Sequence, residues 1–353
     1  MPPIEIRSFD PQQASPALWA SFHACRRAIA SELHPGDPVL SDAETEFEMQ
    51  EADPLFECRR WVAIARPEVI GHARAVFRRP GTPNAAEQAP YLFGGGAVRA
   101  EARRQGAGSS LLREIHSLMH TLDKTILTLM AETEPGHAFL TQAGAVAKLT
   151  TVSSRAALPQ LDWVHLREWE EAAANSGLEW DCYAGRVPRE VLLALLPDYT
   201  TLLADVPRGD LEIAPVRCEI EGYDQWYETL DRVGGAHHLI VLRAPGGAVA
   251  GLTEAVWDSR MPSIVFQNLT AVARPWRGRG LARALKARIL RQVHTHHPEA
   301  AAMRTGNSET NAAMRAINTR AGFKPHRRFA EYQVTRAALD AWHAAQPPAG
   351  SHN

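Results

Sequence analysis

The feature that most constrains this chain is a strand–turn–helix segment that occurs twice. Val272-Ala273-Arg274-Pro275-Trp276-Arg277-Gly278-Arg279-Gly280-Leu281-Ala282 follows a β-like run, Ser263 to Thr270. It precedes a helical pattern in which Leu281, Leu285, Ile289 and Val293 recur every fourth residue. Val98 to Leu112 aligns without gaps on Val272 to Lys286: both open on valine, keep the arginine (Arg103, Arg277) and the glycine (Gly106, Gly280), and run into an apolar helix. Such a segment gathers unpaired backbone N–H groups on one concave surface, where the helix dipole also favours an anion. Gly278 and Gly280 let a diphosphate approach without a Cβ in the way, and Arg277 and Arg279 add charge. The pattern is not G-x-G-x-x-G and has no P-loop Lys-Ser/Thr, which disfavours a dinucleotide or a nucleoside triphosphate.

A second segment is repeated in the same order. Thr305 to Phe323 holds Asn311, an apolar face of Met314, Ile317 and Ala321, and then Gly322, where a helix C-terminus favours a left-handed residue. Ser308 is the expected N-cap. Phe139-Leu140-Thr141-Gln142-Ala143-Gly144 matches Ile317 to Gly322, but Thr133 stands where the other copy has Asn311, and Glu132 to Gly136 reads as a poorer cap. Two matching segments in one order point to duplication.

Arg277-x-x-Gly280-x-Ala282, followed by the Asn311 helix ending in Ala321-Gly322-Phe323, resembles the coenzyme A loop and second motif of the GNAT N-acetyltransferases. The resemblance covers most of both halves and is stronger in the second. It implies an α/β (α+β) protein of two tandem GNAT domains, each a mixed, splayed central sheet flanked by helices. The expected domains are 1–157, degenerate, and 158–342, catalytic, the latter opening on a linker helix at Asp162 to Ala174. Residues 343–353 read as a disordered tail, because the chain there turns polar and rich in Gly and Pro.

Composition narrows the classes. A length of 353 residues suits two domains, and 45% apolar content without a long apolar run excludes a membrane span. Met1-Pro2-Pro3 opens no signal peptide, and a formal charge of −2 argues against nucleic-acid binding. Cys25, Cys58, Cys182 and Cys218 are widely spaced and read as free thiols in a cytoplasmic protein. His237-His238 and His294-Thr295-His296-His297 invite a metal, but the first pair alternates faces and the second ends a helix, so no metal is expected. The protein is expected to be a monomer or homodimer acting on a small-molecule amine.

By the resemblance, acetyl-CoA lies with its pantetheine along the strand edge Leu269, Thr270, Ala271 and Val272. Its diphosphate sits on Arg277, Gly278, Arg279, Gly280, Leu281 and Ala282, and Asn311 binds it from the other side. A second cofactor site is implied at Val98, Arg103, Arg104, Gln105, Gly106, Ala107, Gly108 and Ser109. The family's acid–base residues are missing: Phe266-Gln267-Asn268 replaces the strand glutamate, and Asn318 (Leu140 in the first copy) the tyrosine. Glu254, on the strand paired with the loop strand, is the best remaining base, and Tyr332 a candidate acid. Trp257, Asp258 and Glu254 suggest a cationic guest. The alternative is a non-catalytic acyl-CoA sensor or scaffold.

Overall fold

A computed structural model describes residues 3–174 and 177–345. The chain forms two compact units that follow strand pairing rather than chain order. One contains the described residues up to Leu149, with Asp210–Ala214 and the stretch from Phe329 onward; the other contains Thr150–Gly209 and Pro215–Arg328.

The first unit starts with β1 (Ile4–Ser8), α1 (Pro16–Leu33) and α2 (Asp42–Gln50), then a hairpin of β2 (Phe56–Ala65) and β3 (Glu68–Arg78). β4 (Tyr91–Val98), α3 (Ala107–Thr121), β5 (Ile126–Ala131) and α4 (Glu134–Gln142) follow. Ser15 caps α1 and Pro16 starts it, so one missing N–H falls where no partner exists anyway. The α1 stripe of Trp19, Phe22, Cys25 and Ile29 is buried with Val62, Ile64 and Val69 of the hairpin.

The second unit takes most of β6 (Val146–Ala157), then α5 (Trp163–Ala174), β7 (Glu179–Ala184), α6 (Arg189–Ala204) and α7 (Ile220–Arg232). It continues with β8 (Ala236–Arg243), β9 (Val249–Trp257), β10 (Ile264–Val272), α8 (Leu281–His296), β11 (Ala302–Ser308) and α9 (Ala312–Arg320). β12 (Lys324–Thr335) begins there and ends in the first unit, followed by α10 (Arg336–Ala344). Leu281, Leu285, Ile289 and Val293 are all buried, as the four-residue recurrence requires.

The two sheets have the same plan. In the first the order is β1-β2-β3-β4-β5-β12, antiparallel except for β4 with β5. In the second it is β7-β8-β9-β10-β11-β6, antiparallel except for β10 with β11. The closing strand of each comes from the other half of the sequence: Ala330–Thr335 pairs with Ile126–Ala131, and Thr151–Ala157 with Ala302–Ser308. The expected domains, 1–157 and 158–342, therefore exchange their last strands.

A shared glycine marks the duplication. Gly71 opposes Val98 and Gly251 opposes Val272; a Cβ there would meet the carbonyl oxygen of Ala97 at 3.0 Å or of Ala271 at 2.8 Å. β4 contains Gly94-Gly95-Gly96, a run that favours a bulge or a close backbone approach. The pairing with β3 is regular, and close approach is the reason: a Cβ on Gly96 would sit 2.6 Å from the His72 carbonyl oxygen.

Several local expectations are corrected. Asn311, not Ser308, caps α9, its side chain accepting from the Met314 amide, and Thr133 caps α4 in the same way through Gly136. Pro197 lies inside α6, and the carbonyl deprived of its N–H belongs to the exposed Leu193, where water can serve. His343 and Ala344 lie in α10, which Thr335 caps, rather than in a tail; residues 346–353 of that expected tail lie outside the described residues. All four cysteines are free, and among the described residues no helix is long and apolar enough to cross a membrane.

Strand exchange makes each half of the chain incomplete. Residues 1–157 expressed alone lack Ala330–Thr335 and α10, which cover Leu127, Leu129 and Leu140 in one apolar cluster. Such a fragment is expected to lose cooperative thermal unfolding, and co-expression with residues 158–345 to restore it. A sharp melt of the lone fragment, followed by circular dichroism, would count against this account.

Candidate functional site

The repeated loop has one backbone conformation in both units. Gly278 and Gly280 have φ of 78° and 80°, and their counterparts Arg104 and Gly106 have φ of 62° and 90°. Each loop starts with a 3-10 turn, Arg274–Trp276 or Ala100–Ala102, and ends on the left-handed glycine that precedes the helix. In the second unit Arg283 and Ala284 donate back to the Gly280 carbonyl. Among the described residues no acceptor meets the amides of Gly278 to Ala282. Those amides lie at the N-terminal end of α8, where a helix leaves its first N–H groups without intrahelical partners.

The motif arginine does different work from that expected. Arg277 Nε donates to the Val272 carbonyl at 3.0 Å and Nη2 to Asp205 at 2.8 Å. Arg103 repeats this on Val98 at 3.1 Å and on Glu32 at 2.6 and 2.7 Å. Both tie the loop back to its own strand and a carboxylate. Arg274 joins the second tie, and its hydrogen bonds hold the Asp205 carboxyl below the usual carboxylate range. Arg279 stays exposed, its guanidinium 4.8 Å from the Trp276 ring centroid, and is the loop's cation toward solvent.

Beside the loop the sheet opens. β10 pairs with β11 only from Ile264 to Gln267, against Ala302 to Thr305. From Leu269 to Val272 its recorded partner is β9, while Gly306 to Ser308 pair with β6. The register against β9 shifts between Gln267 and Leu269, leaving Asn268 as a bulge residue. Leu269, Thr270, Ala271 and Val272 therefore line an unshared strand edge running to the loop, as expected of a splayed sheet. Asn311 follows the end of β11 by three residues and caps α9.

Glu254 opposes Leu269 across the β9–β10 pair and is 6% exposed. Tyr199 from α6 donates to its Oε1 at 2.7 Å, and His237 Nε2 lies 3.2 Å from Oε2. Tyr227 accepts from the Val187 amide at 3.1 Å, so its own proton points to His237 Nδ1 at 2.7 Å. That count leaves His237 with its proton on Nε2, aimed at Glu254. Burial, then the Glu254 charge, pushes the Tyr199 and Tyr223 phenols far up, and Tyr227 to about 12, so all three remain donors. Tyr199 gives little signal in the sequence because it follows Pro197, a residue that ordinarily breaks a helix.

A second buried network lies toward α8. Lys286 donates to Gln267 Oε1 at 2.5 Å, and Gln267 Nε2 reaches Thr253 at 3.0 Å and Thr270 at 2.9 Å. Thr253 gives its proton to the Leu269 carbonyl at 3.0 Å, so Thr270 must donate to Thr253 at 2.8 Å. These bonds clamp both sides of the Asn268 bulge. Lys286 has a sequence signal that was passed over: it sits four residues after Ala282 and three before Ile289, on the apolar face.

The first unit keeps the loop and lacks these networks. Strand pairing places Arg74, exposed, where the second unit has Glu254, and Gly94, Ala73 and Gly96 where it has Gln267, Thr253 and Thr270. Leu112 matches Lys286. A Cβ at Gly94 would lie 2.8 Å from the Leu129 side chain, so leucines fill the space beside that strand.

Other expected site residues take different places. Tyr332 belongs to the first unit, where it opposes Leu129 and meets His137 Nδ1 at 3.0 Å. Asp258 is held by Arg260 at 2.6 Å, and Trp257 stacks on His297 at 4.3 Å. Asn318 is buried and donates to Asn307 at 2.5 Å. His238 and His297 meet through Nε2 at 2.8 Å, and burial lowers the pKa of His238 to about 3.

Burial also depresses the Lys286 ammonium to about 7. Below that pH both folded and unfolded chains carry the proton and the burial penalty is fully present. Between about 7 and the ordinary lysine value near 10.4 the unfolded chain holds one proton more, so stability rises with pH. Relative to Lys286→Met, the wild type should gain stability from about pH 7 to about pH 10, by at most ~1.4 kcal/mol per pH unit. Urea melts across that range check this; a flat or falling difference would refute it.

No protein-family model and no curated protein matches the sequence. Solved structures do. A tandem GNAT protein from the clavulanic acid biosynthesis pathway is similar at TM-score 0.68 and 20% identity, covering 94% of this chain and 98% of the other. A GCN5-related N-acetyltransferase from Sphaerobacter thermophilus is similar at TM-score 0.62 and 16% identity, over 94% and 96%. A GCN5-related glucosamine N-acetyltransferase region of a fungal multi-domain β-N-acetylglucosaminidase reaches TM-score 0.61 at 12% identity, over 95% and 38%. With two units of one plan, each opening beside an amide-lined loop, this chain has the tandem GNAT fold.

Proposed function

We propose that this chain transfers an acetyl group from acetyl-CoA to a primary amine of a small-molecule acceptor, by direct attack in a ternary complex, and that the second unit does the work. One observation carries the reading: in that unit the unshared edge Leu269 to Val272 joins the amide-lined loop at its Val272 end and begins at Leu269, which Glu254 opposes on β9. The loop amides and Arg279 hold the diphosphate. The edge pairs with pantetheine, and its amides face the thioester oxygen as charge develops there. Asn311 uses its Oδ1 on the Met314 amide and keeps its Nδ2 for the coenzyme. Glu254 takes the amine proton, oriented by Tyr199 and His237. The bond formed is C–N, the bond broken C–S, and coenzyme A leaves as the thiol.

The first unit retains Val98, Arg103, Arg104, Gln105, Gly106, Ala107, Gly108 and Ser109 as an anion loop, but Arg74 in place of the base assigns it an accessory part. The second reading, an acyl-CoA sensor, is favoured by the burial of Glu254 and by Asn318 where the family has a tyrosine. A panel of amines, with release of free thiol as the readout, separates the two: silence across the panel favours the sensor.

Two outcomes follow for the enzyme. Glu254→Gln should lower kcat about 100-fold or more, the usual worth of a positioned base, with the KM for acetyl-CoA changed only a few-fold. Arg279→Glu should lower kcat/KM for acetyl-CoA about tenfold, roughly one charge-assisted contact, while Arg104→Glu leaves it within about twofold. Equal losses from the two arginine changes would refute the division of labour.

A further inference from the structure

We propose that the first unit carries a binding site for a zinc-class divalent ion, built from His116, His120 and Asp340. His116 and His120 are four residues apart on α3 and so share a face. Asp340 comes from α10, more than 200 residues later in the chain. His116 Nε2 and His120 Nε2 converge on the same Asp340 Oδ1, at 2.7 and 2.8 Å. The three donor atoms lie within 4.8 Å of one another. Two imidazoles and one carboxylate carry one negative charge and suit zinc, cobalt or nickel rather than calcium or magnesium, which prefer all-oxygen sets.

A neighbouring residue points the same way. His343, one turn after Asp340, stacks on His116 with centroids 4.6 Å apart. Both of its ring nitrogens are buried without a hydrogen-bond partner, which is costly for an imidazole that has nothing to bind. The duplicated position in the second unit gives no such group: by the gapless alignment Leu290, buried, stands where His116 does. The site is therefore an addition to one copy, and it lies outside the groups assigned to acetyl transfer. Its effect would be to fasten α10 to α3, holding in place the chain end that brings Ala330–Thr335 into the first sheet.

The test uses the full chain, stripped of metal and titrated with zinc chloride. Wild type should bind one equivalent tightly and gain several degrees in Tm. His120→Ala and Asp340→Asn should each weaken binding about tenfold or more, as even loss of an outer-shell partner does, and should abolish the gain in Tm. Both residues are about half exposed, so the variants should fold, and circular dichroism without metal checks this. Cobalt(II) reports the ligands directly: wild type should show the strong visible bands of a four-coordinate ion and His120→Ala should not. Equal zinc responses in wild type and both variants, or no binding to wild type, would overturn the proposal.

Discussion

The structure turns on how far β10 stays bonded to β11. Parallel pairing holds through Gln267 and Thr305 and then stops where the bulge at Asn268 turns β10, while β11 keeps its pairing with β6 on its other edge through Ser308. A sheet that parts this way exposes backbone donors and acceptors in its interior, which is normally a liability. Here the parting is bounded: the Lys286–Gln267–Thr253–Thr270 network holds the bulge from one side, and the loop after Val272 ends the strand on the other. Groups unsatisfied within the chain are thereby concentrated where an extended, amide-bearing ligand can pair with them.

The two units show what duplication preserves and what it releases. Both keep the features that shape backbone: the paired glycines Gly71 and Gly251, the left-handed positions before the helix, and the arginine that bonds the strand-end carbonyl. Arg104 even keeps a left-handed φ that a glycine adopts more readily. The groups that differ are side chains facing the opened strand. Gly94 for Gln267, Ala73 for Thr253 and Leu112 for Lys286 replace a buried hydrogen-bonded network with apolar contacts without altering the fold, while an exposed Arg74 stands where Glu254 is buried. Shape and chemistry are separable here because loop geometry depends on main-chain φ values and carbonyl bonds, whereas proton transfer depends on individual side chains.

Most of the site's frame was legible in the sequence. The repeat gave the loop, the strand before it and the helix after it, because glycine placement and a four-residue apolar recurrence are local signals. Asn311 was legible as a residue of note, though its cap on α9 was misread as belonging to Ser308; both can cap, and only the path of the chain chooses. Glu254 was reached by exclusion, but its partners were not. Tyr199 lies past a proline and His237 was read as a strand-start histidine, so neither announced a contact with a carboxylate 55 or 17 residues away. The surroundings of Tyr332 were hidden in the same way: its strand pairs with β5, about 200 residues earlier in the chain.

The sequence by itself determined that there are two copies of a strand–loop–helix unit, and where each loop places its amides, since these follow from residues adjacent in the chain. Only the tertiary structure decided which strands close which sheet, which carboxylate receives the Tyr199 and His237 protons, and that His116 and His120 meet Asp340. Those pairings join residues far apart in sequence, and nothing in local propensity distinguishes a closing strand from its own half from one lent by the other.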